Sequence, residues 1–134
     1  MMKEMMFNMK RELKFRFWDV RNKKFIDEDP LYSKWAVTLD GEPYNGKYDH
    51  RYDEDEYIVQ QYTGLKDKNG KEIYEGDILL CTFHNSTRNQ KGIVEYFASS
   101  FIVNWMDQTD DSLDEVCADF EVIGNIFDNP ELLK

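Results

Sequence analysis

Apolar and basic side chains alternate in Leu13-Lys14-Phe15-Arg16-Phe17-Trp18. A period of two marks a half-buried strand. It predicts Phe15 and Phe17 on the core face, with Lys14 and Arg16 towards solvent. A polar turn, Asp19 to Lys24, leads into a return strand at Lys24-Phe25-Ile26, and Asp27 to Pro30 breaks that hairpin. Trp35, Val37 and Leu39 alternate again and predict a third strand before the turn dipeptide Asp40-Gly41. Residues 42–56 are polar, end in Asp53-Glu54-Asp55-Glu56, and read as a loop. Strands are then expected at 57–62, 78–83, 91–96, 99–105 and 120–127, with a tight join at Ala98 and a polar loop from His84 to Gln90. Asp107 to Asp114 reads as an acidic loop or a short helix start. Asp128-Asn129-Pro130 reads as a cap followed by one helical turn.

Many short strands with short turns predict a mainly β protein. From Gly76 onward the order is strand, longer loop, strand, tight turn, strand, loop, strand, which is that of an SH3-like barrel. The expected organisation is an N-terminal extension (1–8), an N-terminal β subdomain (9–62) and an SH3-like barrel with a C-terminal helical turn (63–134). The 134 residues suffice for a core without disulfide staples. Aromatic residues make up 15% of the chain and reinforce the β reading.

Charge changes the picture of partners. The net charge is −10, which repels phosphates and anionic membranes at long range. It is unevenly spread: residues 1–26 hold eight bases and three acids, whereas residues 107–134 hold one base and nine acids. No apolar run is long enough for a membrane span or an export segment. Cys81 and Cys117 are therefore expected as reduced, buried thiols in a cytoplasm.

The candidate chemistry is sparse. Gly64 to Lys71 superficially suggests a phosphate-binding loop, but five residues separate Gly64 from Gly70, and Glu72 stands where a hydroxyl should meet Mg²⁺. Asn69-Gly70 instead predicts a two-residue hairpin turn. Cys81 and His84 have C-x-x-H spacing, but Cys117 and His50 are isolated, whereas structural zinc sites pair their ligands closely. The acids from Asp107 to Glu115 lack the spacing and central glycine of a calcium loop. Neither histidine lies in a nucleophile-bearing signature. The sequence therefore predicts no catalytic residue, metal or cofactor. The basic arm of Lys10, Arg11, Lys14, Arg16, Arg21, Lys23 and Lys24, interleaved with Phe15, Phe17 and Trp18, could stack on nucleotides. Strand alternation explains the same pattern by folding alone.

Three blocks resemble the YopX family: Met9 to Asp19 (MKRELKFRFWD), Gln61 to Ile78 (QYTGLKDKNGKEIYEGDI) and Phe120 to Leu133 (FEVIGNIFDNPELL). They stand in the family's order. The resemblance implies a phage or prophage setting and an SH3-like barrel, and carries over no functional residues. Taken together, these features lead to the expectation of an accessory, non-enzymatic phage protein in the host cytoplasm. Its partner would be a host or phage protein, or a second copy through an edge strand, with no membrane contact. Lys14, Arg16, Trp18 and Arg21 are the candidate interaction residues. The alternative is a nucleic-acid-associated barrel using the same basic arm.

Overall fold

A computed structural model describes residues 11–28, 33–82, 89–116 and 119–134. It is mainly β, with antiparallel pairing throughout. The first sheet contains β1 (Phe15–Asp19), β2 (Lys24–Phe25), β6 (Tyr57–Lys66) and β7 (Glu72–Tyr74), in the order β2-β1-β6-β7. A small sheet is built from β3 (Trp35–Val37), β4 (Pro43–Asn45) and β5 (His50–Arg51). The third sheet joins β8 (Asp77–Thr82), β9 (Asn89–Phe97), β10 (Ser100–Trp105), β11 (Asp110–Ser112) and β12 (Phe120–Asn125), ordered β11-β10-β9-β8-β12. Among the described residues a short helix, α1 (Leu113–Val116), precedes β12, and a 3-10 turn (Pro130–Leu133) lies near the C-terminus. Among the described residues no helix is long and apolar enough to cross a membrane.

The expected strands all have counterparts, with two corrections to the loops and turns. Residues 42–56 are not simply a loop, since β4 and β5 lie within them. Their alternation is too short to register as a strand pattern, and pairing to β3 supplies the order. Asn69-Gly70 does not form the two-residue turn that needs left-handed backbone at both positions. Only Gly70 is left-handed, at φ +81°, and its N–H donates to the Asp67 carbonyl across 3.0 Å. This is a turn closed by a glycine bulge. The two-residue turn with both positions left-handed is found instead at Ala98 and Ser99, at φ +51° and +70°. The expected boundary at residues 62 and 63 falls inside the ten-residue strand β6.

The principal core lies against the five-stranded sheet. Ile73, Leu79, Cys81, Val94, Val103, Trp105, Leu113 and Phe120 are almost wholly buried there. A second, aromatic core joins the N-terminal sheets. Trp18 packs on Phe25 and Phe127, with centroids 4.9 and 5.9 Å apart. On the opposite face of β1, Phe17 packs on Trp35, which also meets Tyr52 and Tyr57. At Phe17 and Trp18, therefore, β1 is covered on both faces, and a simple inside–outside alternation does not describe it.

Candidate functional site

The ladder between β1 and β6 pairs Phe15 with Gln61, Arg16 with Gln60, and Phe17 with Val59. The Tyr62 N–H donates to the Lys14 carbonyl at 2.8 Å. In an antiparallel pair, hydrogen-bonded and non-bonded residue pairs alternate. Lys14, Arg16 and Trp18 thus direct their backbone groups at β6, and Phe15 and Phe17 direct theirs outwards. Beyond that edge, β2 pairs with β1 only at Trp18 and Asp19, supplemented by the Ile26 N–H donating to the Phe17 carbonyl at 2.9 Å. At Phe15, among the described residues, no strand completes the ladder.

A groove of about 420 Å³ lies along this stretch, with Leu13, Phe15, Phe17, Ile26 and Trp35 as apolar wall. Phe15 is 38% exposed, which corrects the expectation that it faces the core. Glu28 and Glu72 also line the groove. The Ser33 hydroxyl donates to Glu28 at 3.1 Å. Lys14 Nζ donates to Glu72 at 2.8 Å and lies 3.1 Å from Glu12. These bonds, that to Glu72 foremost, hold the Lys14 ammonium well above its ordinary range.

Arg16 does not simply face solvent. Its guanidinium carbon lies 4.4 Å from the ring centroids of both Phe25 and Tyr74, a favourable placement for a cation. It pairs with Asp77, which is 2% exposed, and its Nε donates to Gln60 at 2.9 Å. Asn125 Nδ2 donates to Gln60 and to Asp77 at 3.0 and 3.1 Å, and the Tyr74 N–H donates to Asp77 at 2.8 Å. Gly76, at φ +80°, stands where a Cβ would come within 2.5 Å of the Gln60 amide. One buried polar hub therefore ties β1, β6, β7, β8 and β12 together.

The four candidate residues do not form one patch. Lys14 and Arg16 border the groove. Trp18 is 4% exposed and belongs to the core, so it offers no surface to a partner. Arg21 is exposed in the turn at the opposite end of β1. Sequence reasoning missed Gln60, Asp77 and Asn125. The available signal was an uncharged polar residue, Asn125, inside the mostly apolar strand stretch from Val122 to Phe127.

Among the described residues, no group of His, Cys, Asp and Glu is arranged to hold a metal ion. His50 packs edge-on to Tyr52; His84 and Cys117 lie outside the described residues. Burial pushes the Cys81 thiol above its ordinary value. Asp67, 6% exposed, accepts bonds from the N–H groups of Asn69, Lys71 and Val122 at 2.9 Å each. Burial alone would raise its carboxyl, but the backbone donors prevail and hold it below the usual value.

The chain is similar to two solved structures. Protein EF1440 from Enterococcus faecalis is 29% identical, with a TM-score of 0.60 over 93% of this chain and 100% of that one. Protein yopX from Bacillus subtilis is 21% identical, with a TM-score of 0.63 over 90% and 95%, a likeness of fold. No curated protein sequence matches the chain. Residues 14–134 match the family model described as YopX protein, and with the shared fold this match places the chain in the YopX family.

Proposed function

We propose that this protein is a non-catalytic interaction module, an accessory phage or prophage protein of the host cytoplasm that takes a protein partner by strand addition at β1. The observation that carries the reading is the outward-facing backbone of Phe15 beside an apolar groove. Strand addition draws affinity from main-chain hydrogen bonds and specificity from pockets for alternate side chains, and this edge supplies both. The meander β8-β9-β10-β11, with β12 returning to pair with β8, supports an SH3-like barrel as the platform. Nucleic-acid binding draws less support, because Lys14 and Arg16 are already matched by carboxylates.

The test is capture from host lysate with wild-type protein, Phe15→Ala and Phe15→Pro, before and after nuclease. Proline at this position removes only an outward N–H and is tolerated on an edge strand. The expected result is a nuclease-resistant protein partner that Phe15→Pro loses and Phe15→Ala retains in part. Capture that disappears with nuclease would move the function to nucleic acid.

A further inference from the structure

The chain contains two Asn-Gly dipeptides, Asn45-Gly46 and Asn69-Gly70, and the fold treats them oppositely. We infer that Asn69 is a site of spontaneous modification, deamidating through a cyclic imide formed with Gly70, and that the fold spares Asn45. The Gly70 backbone nitrogen, on losing its proton to solvent base, attacks Cγ of the Asn69 side chain. The new N–C bond closes the imide ring, and the side-chain nitrogen leaves as ammonia. Water then opens the ring at either carbonyl. One product is aspartate; the other is isoaspartate, whose main chain runs through the former side chain. Glycine suits the attack, because no Cβ crowds the approach of its nitrogen.

At Asn69 the reactants are accessible. Asn69 and Gly70 are both exposed in the turn between β6 and β7. The space beside the Gly70 Cα is open. Among the described residues the Asn69 side chain makes no hydrogen bond; only its backbone N–H is held, by Asp67. One bond opposes the attack, the Gly70 N–H donating to the Asp67 carbonyl at 3.0 Å. It closes a surface turn, where local opening costs little. At Asn45 both reactants are held. The residue is 7% exposed, and its Oδ1 accepts from the Lys47 N–H at 2.9 Å. The Gly46 N–H donates to the Lys34 carbonyl at 2.8 Å, next to β3.

The product matters because of where the turn sits. Asp67 accepts from the N–H groups of Asn69 and Lys71, on either side of the reacting bond, and from Val122 on β12. The Lys68 N–H donates to the Phe120 carbonyl at 3.0 Å. Isoaspartate inserts a methylene into the main chain between Asn69 and Lys71, so their N–H groups lose the spacing that fits one carboxylate. Aspartate leaves the main chain unaltered. Isoaspartate at position 69 therefore loosens the tie between this turn and β12.

Ageing the full chain in mildly alkaline buffer tests this, with peptide mapping by mass spectrometry and isoaspartate scored by enzymatic methylation of its carboxyl. In the folded protein Asn69 is expected to convert about tenfold or more faster than Asn45, the scale on which one held hydrogen bond shifts a rate. In urea the two should react at similar rates, since the fold alone separates them. Similar rates in the folded protein overturn the inference. So does an Asn69 that survives in the folded protein and reacts in urea, because the Gly70–Asp67 bond would then protect it. Urea unfolding of the aged samples reads the consequence. A second, lower transition should grow with the isoaspartate content of the wild type and be absent from Asn69→Ser aged alongside. Fresh Asn69→Asp should stay close to unaged wild type. An isoaspartate fraction that unfolds at the unaged midpoint, or an equal loss in fresh Asn69→Asp, overturns the tie to β12.

Discussion

Asp67 shows how much one buried carboxylate can organise. Its two oxygens satisfy three backbone N–H groups, two in its own turn and one on β12. Because the folded carboxyl titrates below its ordinary value of 3.8, its stabilisation is fully present above that value. It is lost as pH falls through the lower folded value. Asp67→Asn should cost about 1–3 kcal/mol at neutral pH, since an amide presents its own N–H to a backbone donor. The gap between wild type and variant should narrow below pH 3.8, as urea unfolding across a pH series would show. Cys81 gives a second check. It is fully buried and its thiol is pushed up by that burial, so it should resist labelling until the protein unfolds. In a Cys117→Ser background, labelling of the native protein as fast as of the denatured one would contradict the burial.

Strand β1 is read twice, once by its side chains and once by its backbone. The backbone reading separates neighbours. Phe15→Pro leaves the β6 ladder untouched, whereas Arg16→Pro removes a donor facing Gln60 and strands its partner. The second change should cost about 1–3 kcal/mol for the broken backbone bond alone, plus the loss of the Arg16 ion pair. The first should lie within a few tenths of a kcal/mol of Phe15→Ala, surface changes being mild. Chemical denaturation of the three variants decides between this arrangement and one in which Phe15 faces β6. Alternation indicated a strand here, but not which of its residues would lack a second neighbouring strand among the described residues, because that depends on where β2 stops pairing.

The hub of Arg16, Gln60, Asp77 and Asn125 makes the two larger sheets one mechanical unit. Removing one member of a buried ion pair leaves an uncompensated charge, at about 3–5 kcal/mol. Arg16→Met should therefore lower the unfolding midpoint strongly. The loss in Arg16→Met/Asp77→Leu should be smaller than the sum of the two single losses, because both charges then leave together, although the Tyr74 N–H and the Asn125 amide lose their acceptor. Additive losses in the double-mutant cycle would mean that the pair is uncoupled. The hub spans the expected boundary at residues 62 and 63: Gln60 and Arg16 lie on one side of it, and Asp77 and Asn125 on the other.

Local pattern accounts for the mainly β class, the positions of most strands and the hairpin around Asn69-Gly70. Each rests on neighbours within a few residues, where side-chain period and turn chemistry act. It also marked Lys14 and Arg16 as residues of interest, but as solvent-facing cations. Contacts distant in sequence decided the rest. Arg16 meets Asp77 61 positions away, Asp67 meets Val122 55 away, and Lys14 meets Glu72 58 away. No local period encodes such pairings. Trp18 moved from candidate surface to core, and Phe15 from core to groove, because β1 is covered on both faces at Phe17 and Trp18, whereas Phe15 is 38% exposed. The fold class follows from chemistry repeated along the chain, whereas the groove and its charge exist only once the sheets have been brought together.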